Sequence, residues 1–448
     1  MTFNEFKELV IAECAAQGIA EYELYYQVGE STSVSAFQHS INQFTDSTEG
    51  GVCFRCIVGG KMGYASTEAL NASEAKAIVE RAAANAEVLE SEEQVFLGEG
   101  GKTYAVIDRK PMELPATDAL IAKVLDTQEK IYAADEAVID GCSTQGISEK
   151  SVTAIVNSKG LDLYHEISIA GLVVAAVVSN GKEMANDYQI KLGSLDTIDT
   201  DALTKKAAEG ALRKLGGEVA PTGQYPVVFD SEAMSSLLQT FASIFSSEAA
   251  QKGLSKLAGK EGEKIAADIV TIVDDPFHPE NPMPMPFDAE GSPTAKKNII
   301  ENGVFNTLLY NLKTAAVAGK QTTGNAAKAG YAGAVGVRPF SMYLEGGDMT
   351  EEELLNKVGN GVYITSLSGL HAGANAITGD FSLQSAGFML ENGKKTTAVK
   401  SFTVAGNFYE LLKNVTAVAN NAHLPTAMGS TAFGAPTTWV DGLSVAGK

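Results

Sequence analysis

A chain of 448 residues with 45% hydrophobic and 20% charged side chains holds enough apolar material for one large or two ordinary packed cores. Its 34 Lys and Arg face 55 Asp and Glu, a formal charge of −21 that repels phosphate backbones and anionic lipid, so neither nucleic acid nor membrane is expected as a partner. The opening segment carries Glu5, Glu8 and Glu13 instead of the basic start of a signal peptide, and the longest apolar run, 169–178, is far short of a membrane span, which predicts a cytoplasmic address.

In chain order, Thr2 and Glu5 form a capping-box start, and Phe3, Phe6, Val10 and Cys14 repeat at helical spacing before Gly18. From 22 to 67 the pattern changes to short β-rich runs broken by Gly29, Gly50, Gly51 and the Gly59-Gly60 pair, which reads as a meander of antiparallel hairpins. Asn71 with Glu74 caps an alanine-rich helix to about Ala86, and 117–134 is a second amphipathic helix with Leu120, Val124 and Ile131 on one side. Strands resume at Ala137, alternate between Ile147 and Leu192 with Gly or Asn-Gly turns, and give way to helix at 201–215.

Gly and Pro concentrate between 216 and 226, which divides the chain into an N-terminal α+β domain, 1–220, and a second domain, 221–448. The second opens with a strand at 227–229 and a helix from Ser231 to about Ala250, passes a proline-rich stretch at 276–293, and from Lys297 reads as short strands and glycine turns. The fold class is α+β, with hairpins and helices first and a β-rich, curled or barrel-like sheet after.

The chemistry is sparse. Cys53 and Cys56 have metal or redox spacing, but they lie in an alternating segment where residues three apart point to opposite faces, so buried structural thiols are expected. His165-Glu166 lacks a second histidine one helical turn on, and its context is a strand. The acidic run Asp274-Asp-Pro-Phe-His-Pro-Glu280 has the oxygen ligands and imidazole for a divalent ion, but the favoured reading is a proline-stiffened surface loop with solvated acids. His39 lies among the hairpins, and His371 and His423 stand alone in glycine-rich and loop contexts. No G-x-S-x-G elbow, Rossmann or P-loop glycine pattern follows a strand, so the residues by themselves offer no complete catalytic constellation.

The second half carries an ordered set of short motifs. They are Pro286-Phe-Asp-Ala-Glu-Gly291, Ile300-Glu-Asn-Gly-Val304, Thr322-Thr-Gly-Asn-Ala326, Val337-Arg-Pro339, Ile377-Thr-Gly-Asp-Phe-Ser382, Ala386-Gly-Phe-Met-Leu-Glu-Asn-Gly393, Phe402-Thr-Val-Ala-Gly-Asn407 and Val440-Asp-Gly-Leu-Ser-Val-Ala-Gly447. In this order, with the N-terminal hairpins and Ile155-Val-Asn-Ser-Lys-Gly-Leu161, they resemble the TldD/PmbA family of peptidases, once described as modulators of DNA gyrase.

The resemblance implies two related subunits, of which the TldD type carries His-Glu-x-x-x-His on the helix after the inter-domain strand and a C-terminal cysteine ligand. In this chain Gln239, Thr240 and Ile244 stand at those helix positions, and no cysteine follows Cys142. The resemblance is therefore to the PmbA (TldE) type, which implies no catalytic residue, no metal and no cofactor in this chain, zinc in a TldD-type paralogue, and a shared chamber for extended or unfolded peptides. Asp288, Glu290, Asn325 and Asp380, the polar members of the matched motifs, are expected at a substrate groove or interface. The alternative expectation is a non-enzymatic, homodimeric peptide- or protein-binding module, including one that acts on DNA gyrase by protein contact.

Overall fold

The structure, a computed structural model, describes residues 1–90, 93–108, 112–424 and 431–447. Six strands, β1 (Glu21–Phe37), β2 (Ser40–Val58), β3 (Lys61–Thr67), β4 (Ser143–Asn157), β5 (Asp162–Ser179) and β6 (Met184–Leu192), form one antiparallel sheet in the order β3-β2-β1-β4-β5-β6. Four helices cover one face. α1 (Phe3–Ala16) and α2 (Ala72–Val88) pack over one half with Leu24, Phe54 and Cys56. α3 (Thr117–Tyr132) and α4 (Thr200–Leu212) pack over the other half with Val34, Ala36 and Val174. Leu24, Val34 and Ala36 keep the two-residue period of β1, and Tyr25 between them faces the other way, toward Phe287 of the second half.

The capping box of α1 forms as read, with Glu5 N donating to Thr2 Oγ1 and Thr2 N donating to Glu5 Oε2. Cys53 packs with Tyr25 and Phe287 while Cys56 packs with Phe6 and Phe54, so the sheet separates this pair, and all four cysteines are buried free thiols.

The hairpins differ from the sequence reading in one respect. β1 and β2 are 17 and 19 residues long and run through Gly29, Gly50 and Gly51 without a break. A Cβ on Gly50 would lie 2.1 Å from the carbonyl oxygen of Gln27, so this glycine permits close strand approach and does not mark a turn. The β1–β2 turn is made instead by Gln38 and His39, whose φ values of 48° and 64° are left-handed. Gly59-Gly60 makes the β2–β3 turn as expected.

The second half contains a closed sheet of five strands: Gly223–Phe229, Gly361–Ser368, Asp380–Glu391, Lys394–Asn407 and Thr438–Ala446. The last pairs with both the first and the fourth, which closes the ring and confirms the barrel-like expectation. α5 (Ser231–Phe241) follows the first barrel strand and buries Met234, Leu237, Leu238 and Phe241 in the main core.

The single helix expected from Ser231 to about Ala250 is interrupted. α5 ends at Phe241, a 3₁₀ turn spans Ala242–Phe245, and Ser246, in extended conformation, accepts from Ala249 N to start a new short helix, Ser247–Gln251. The acidic run at 274–280 is also corrected. Asp274 is fully buried, pairs with Lys297 at 3.2 Å, and accepts from Phe340 N, Ser341 N and Asn325 Nδ2 at 2.8–3.0 Å. These partners lie 23 to 67 residues away, so the local sequence could not reveal that the acid was satisfied.

Candidate functional site

A cleft of about 1660 Å³ opens between the N-terminal sheet and the barrel. One wall is β5, β6 and the exposed side of α4; the facing wall is the polar side of α5 with barrel strands 361–368, 380–391 and 394–407. Its size exceeds the ~300–1,000 Å³ of ordinary small-molecule sites and suits a length of chain. β6 is an edge strand, and its residues 187–192 line the cleft, which places a sheet edge along the wall. Ion pairs tie the walls together: Lys206 of α4 to Glu232 of α5 at 3.9 Å, and Glu183 to Lys400 of the barrel.

α5 presents its first turns to the cleft because Asp230 caps it, Oδ1 accepting from Ala233 N at 2.8 Å. Burial pushes the Asp230 carboxyl up to about 7, and the neighbouring acids Glu232 and Glu351 push in the same direction. Next to it, Glu351 accepts from Tyr363 Oη at 3.1 Å, Lys395 Nζ at 2.8 Å, Thr437 Oγ1 at 3.0 Å and Asn421 Nδ2 at 3.2 Å. Burial opposes ionisation of Glu351, but the hydrogen bonds and charge of Lys395, with Thr437 and Tyr363, hold its carboxyl below its ordinary range.

Ser231 and His423, both on the cleft, lie 2.9 Å apart, Oγ to Nδ1. The pair is not arranged as nucleophile and base. The Ser231 hydroxyl donates to the Ala435 carbonyl at 2.6 Å, which leaves the ring nitrogen to donate to the hydroxyl oxygen.

Of the three degenerate helix positions, Gln239 lines the cleft. Thr240 Oγ1 donates to Ser236 O at 2.7 Å within its own helix, and Ile244 is 1% exposed in the main core. A carboxamide, a hydroxyl committed to its own backbone and a core hydrocarbon do not fit a zinc ion, whose ligands are thiolate, imidazole or carboxylate. Among the described residues no three His, Cys, Asp or Glu side chains come together as a metal-ligand set.

The four motif residues lie elsewhere. None lines the cleft. Asp288 is buried and accepts from the backbone N–H groups of Glu290, Ser292 and Ala326 at 2.8–2.9 Å. Glu290, also buried, accepts from Leu312 N at 2.8 Å, and burial raises both carboxyls, that of Glu290 further because Asp288 is beside it. Asn325 bridges Asp274 Oδ2 at 2.8 Å and Arg338 O at 3.0 Å. Asp380 is exposed and held below its ordinary range chiefly by Asn407 Nδ2, which donates to it at 2.8 Å.

The cleft residues that sequence reasoning missed are Asp230, Ser231, Glu351, Tyr363, Asn421 and Thr437. Only Asp230 had a local signal, as an N-cap between strand and helix; the others are separated by up to 206 positions, from Ser231 to Thr437.

The helix-covered antiparallel sheet, the closed barrel and the cleft between them define a fold, which by itself does not fix a chemistry. Family profiles match in three parts: PmbA/TldA metallopeptidase domain 1 over 22–86, the central domain over 111–215 and the C-terminal domain over 222–447. The chain belongs to the PmbA/TldD metallopeptidase family. The metalloprotease PmbA homolog of Haemophilus influenzae is 26% identical over 416 residues, 91% of this chain and 89% of that one. The metalloprotease TldD homolog of the same organism is 24% identical over 454 residues, 95% of this chain and 92% of its own length. A Thermotoga maritima protein solved as a candidate modulator of a DNA gyrase superposes with a TM-score of 0.89 at 30% identity, over 99% of this chain and all of that one.

Proposed function

We propose that this chain is the accessory subunit, without catalytic zinc, of a cytoplasmic TldD/PmbA-type peptidase, paired with a zinc-bearing TldD-type paralogue and acting on extended or unfolded peptides. The observation that carries this reading is the donor set at the helix: Gln239 reaches the cleft while Thr240 and Ile244 are turned to the backbone and the core. The cleft volume and the β6 edge support a peptide bound as an added strand, through backbone hydrogen bonds that need little sequence preference. Two matches within Haemophilus influenzae, one PmbA and one TldD homolog, support a paralogue as the partner.

The test is co-expression of this chain with a TldD-type subunit, followed by size analysis, metal content and cleavage of an unfolded peptide. The expected outcome is a mixed assembly with zinc assigned to the paralogue, and cleavage by the mixture that the pure chain lacks. Stoichiometric zinc together with cleavage by the pure chain would overturn the proposal, and tight homodimers that ignore the paralogue would replace it with a homodimeric binding module.

A further inference from the structure

Beside the cleft, past the end of α5, lies a small pocket of about 190 Å³. One part of its wall is apolar, from Ala242, Leu309, Val337, Pro339 and Phe433, and Phe433 also lines the main cleft, so the two cavities are neighbours. Its polar lining is Ser243, Ser246, Thr431 and Arg338, and of these Arg338 carries a charge. Arg338 is half-buried, and among the described residues no carboxylate pairs with it; the ionisable group that acts on it is the phenol of Tyr25, which lies outside the pocket lining. In a chain with 55 acids against 34 bases, a partly desolvated guanidinium without a carboxylate is a charge left for a ligand.

The backbone that carries Arg338 is fixed in place. Arg338 N donates to Asn325 O at 3.2 Å, and Asn325 Nδ2 donates back to Arg338 O at 3.0 Å. The same amide reaches Asp274 Oδ2, while Asp274 Oδ1 accepts from Phe340 N and Ser341 N just beyond. Pro339 follows directly and restricts the residue before it to extended conformations. Such support holds the base of a side chain without consuming its guanidinium, which is what a binding site needs.

We propose that this pocket binds the free α-carboxylate of a peptide, with Arg338 as its bidentate partner and the apolar walls receiving the terminal side chain. The planar fork of arginine matches a carboxylate through two parallel hydrogen bonds. The pocket is too small for a whole oligopeptide and adequate for one terminal residue, with the preceding residues passing by Phe433 into the cleft. The inference rests on the peptide reading for where the rest of the chain lies; the pocket's own ligand chemistry does not depend on it. An Asp or Glu side chain shares that chemistry, and the experiment separates the two sources.

The test uses the full chain, without a partner subunit, and three probes of similar size: N-acetyl-leucine, its α-amide, and N-acetyl-aspartic acid α-amide, which carries a side-chain carboxylate alone. Binding is read by ligand-observed NMR titration. N-acetyl-leucine is expected to bind roughly tenfold or more tightly than either amide, the effect of a hydrogen-bonded charge pair. Arg338→Met is expected to abolish the preference with unchanged circular dichroism and thermal midpoint. If that variant fails to fold, Arg338→Lys, which keeps the charge and loses the fork, is expected to reduce it. Equal binding of acid and amide, a preference that survives Arg338→Met, or one unaltered by Arg338→Lys overturns the proposal. Binding of the aspartic acid amide as tight as that of N-acetyl-leucine also overturns it, in favour of side-chain recognition. The probes are too short to span the cleft, so their binding is independent of the paralogue. A chain that binds them yet never supports peptide cleavage leaves the pocket standing and overturns the subunit reading alone.

Discussion

Asp230 gives the sharpest energetic prediction, because one carboxyl both caps α5 and faces the cleft. Its folded pKa is about 7 against an ordinary value of 3.8. The folded state therefore holds the proton more tightly than the unfolded chain, and the sign follows directly. The stability linked to this group is fully present below about pH 4 and is lost as pH rises to about 7. Three pKa units correspond to about 4 kcal/mol. Asp230→Asn keeps an oxygen to accept from Ala233 N, so the cap survives, but it cannot ionise. The variant is expected to match the wild type near pH 4 and to exceed it by up to about 4 kcal/mol above pH 7. Urea unfolding across this range measures the difference, and the single tryptophan makes the readout local. Trp439 lies opposite Val228 in the barrel strand pair that ends at Phe229, just before Asp230, so its fluorescence follows the relevant region. A stability gap that stays constant with pH, or one that widens toward acid, would refute the reasoning.

Two further sets of substitutions test the cores. Arg55→Met removes the partner of Glu23, a pair 5% and 1% exposed with nitrogen and oxygen 2.6 Å apart, and is expected to cost about 3–5 kcal/mol in denaturant unfolding. Adding Glu23→Gln should recover most of that loss, and a double variant as weak as the single would show that the uncompensated charge is not the cause. The triple change Gln239→His, Thr240→Glu, Ile244→His, which writes the zinc motif into the helix, is expected to bind less than stoichiometric zinc by elemental analysis. It should also lose about 2–5 kcal/mol of stability, because Ile244 leaves the core.

The sequence was most legible where interactions are short in range. The Thr2–Glu5 box, the Asn71 cap and the opposite faces of Cys53 and Cys56 each depend on neighbours within a few positions, and each formed as read. The curled second sheet was legible as a class, whereas its closure depends on Thr438–Ala446 meeting a strand more than 200 residues earlier. Turn chemistry misled at Gly50, where a glycine serves close strand approach, and at Gln38-His39, where a left-handed turn lacks glycine altogether. Asp274 was misread for the same reason that the cleft was invisible. Whether an acid is solvated or satisfied is decided by distant backbone, and the Ser231–His423 contact joins positions 192 apart.

The helix α5, with the 3₁₀ turn that follows it, separates two duties that sequence alone presents as one. Its apolar side is anchored by Met234, Leu237 and Phe241, with Phe241 stacked on Phe408 at 4.5 Å and edge-on to Phe381 at 6.2 Å. Its polar side, Ser235, Ser236 and Gln239, faces the cleft and contributes little to that packing. Positions 239 and 244 are five apart, roughly 140° around a regular α-helix, so a pair of ligands at that spacing needs a local change of winding to converge. In this chain the winding changes by tightening into the 3₁₀ turn at Ala242–Phe245, which sends Ile244 into the core while Gln239 stays on the cleft. The triple change is therefore expected not to form a metal site, since the backbone places position 244 in the core and position 239 on the cleft. The cleft keeps its wall because packing and the Asp230 cap hold α5, and neither depends on a metal.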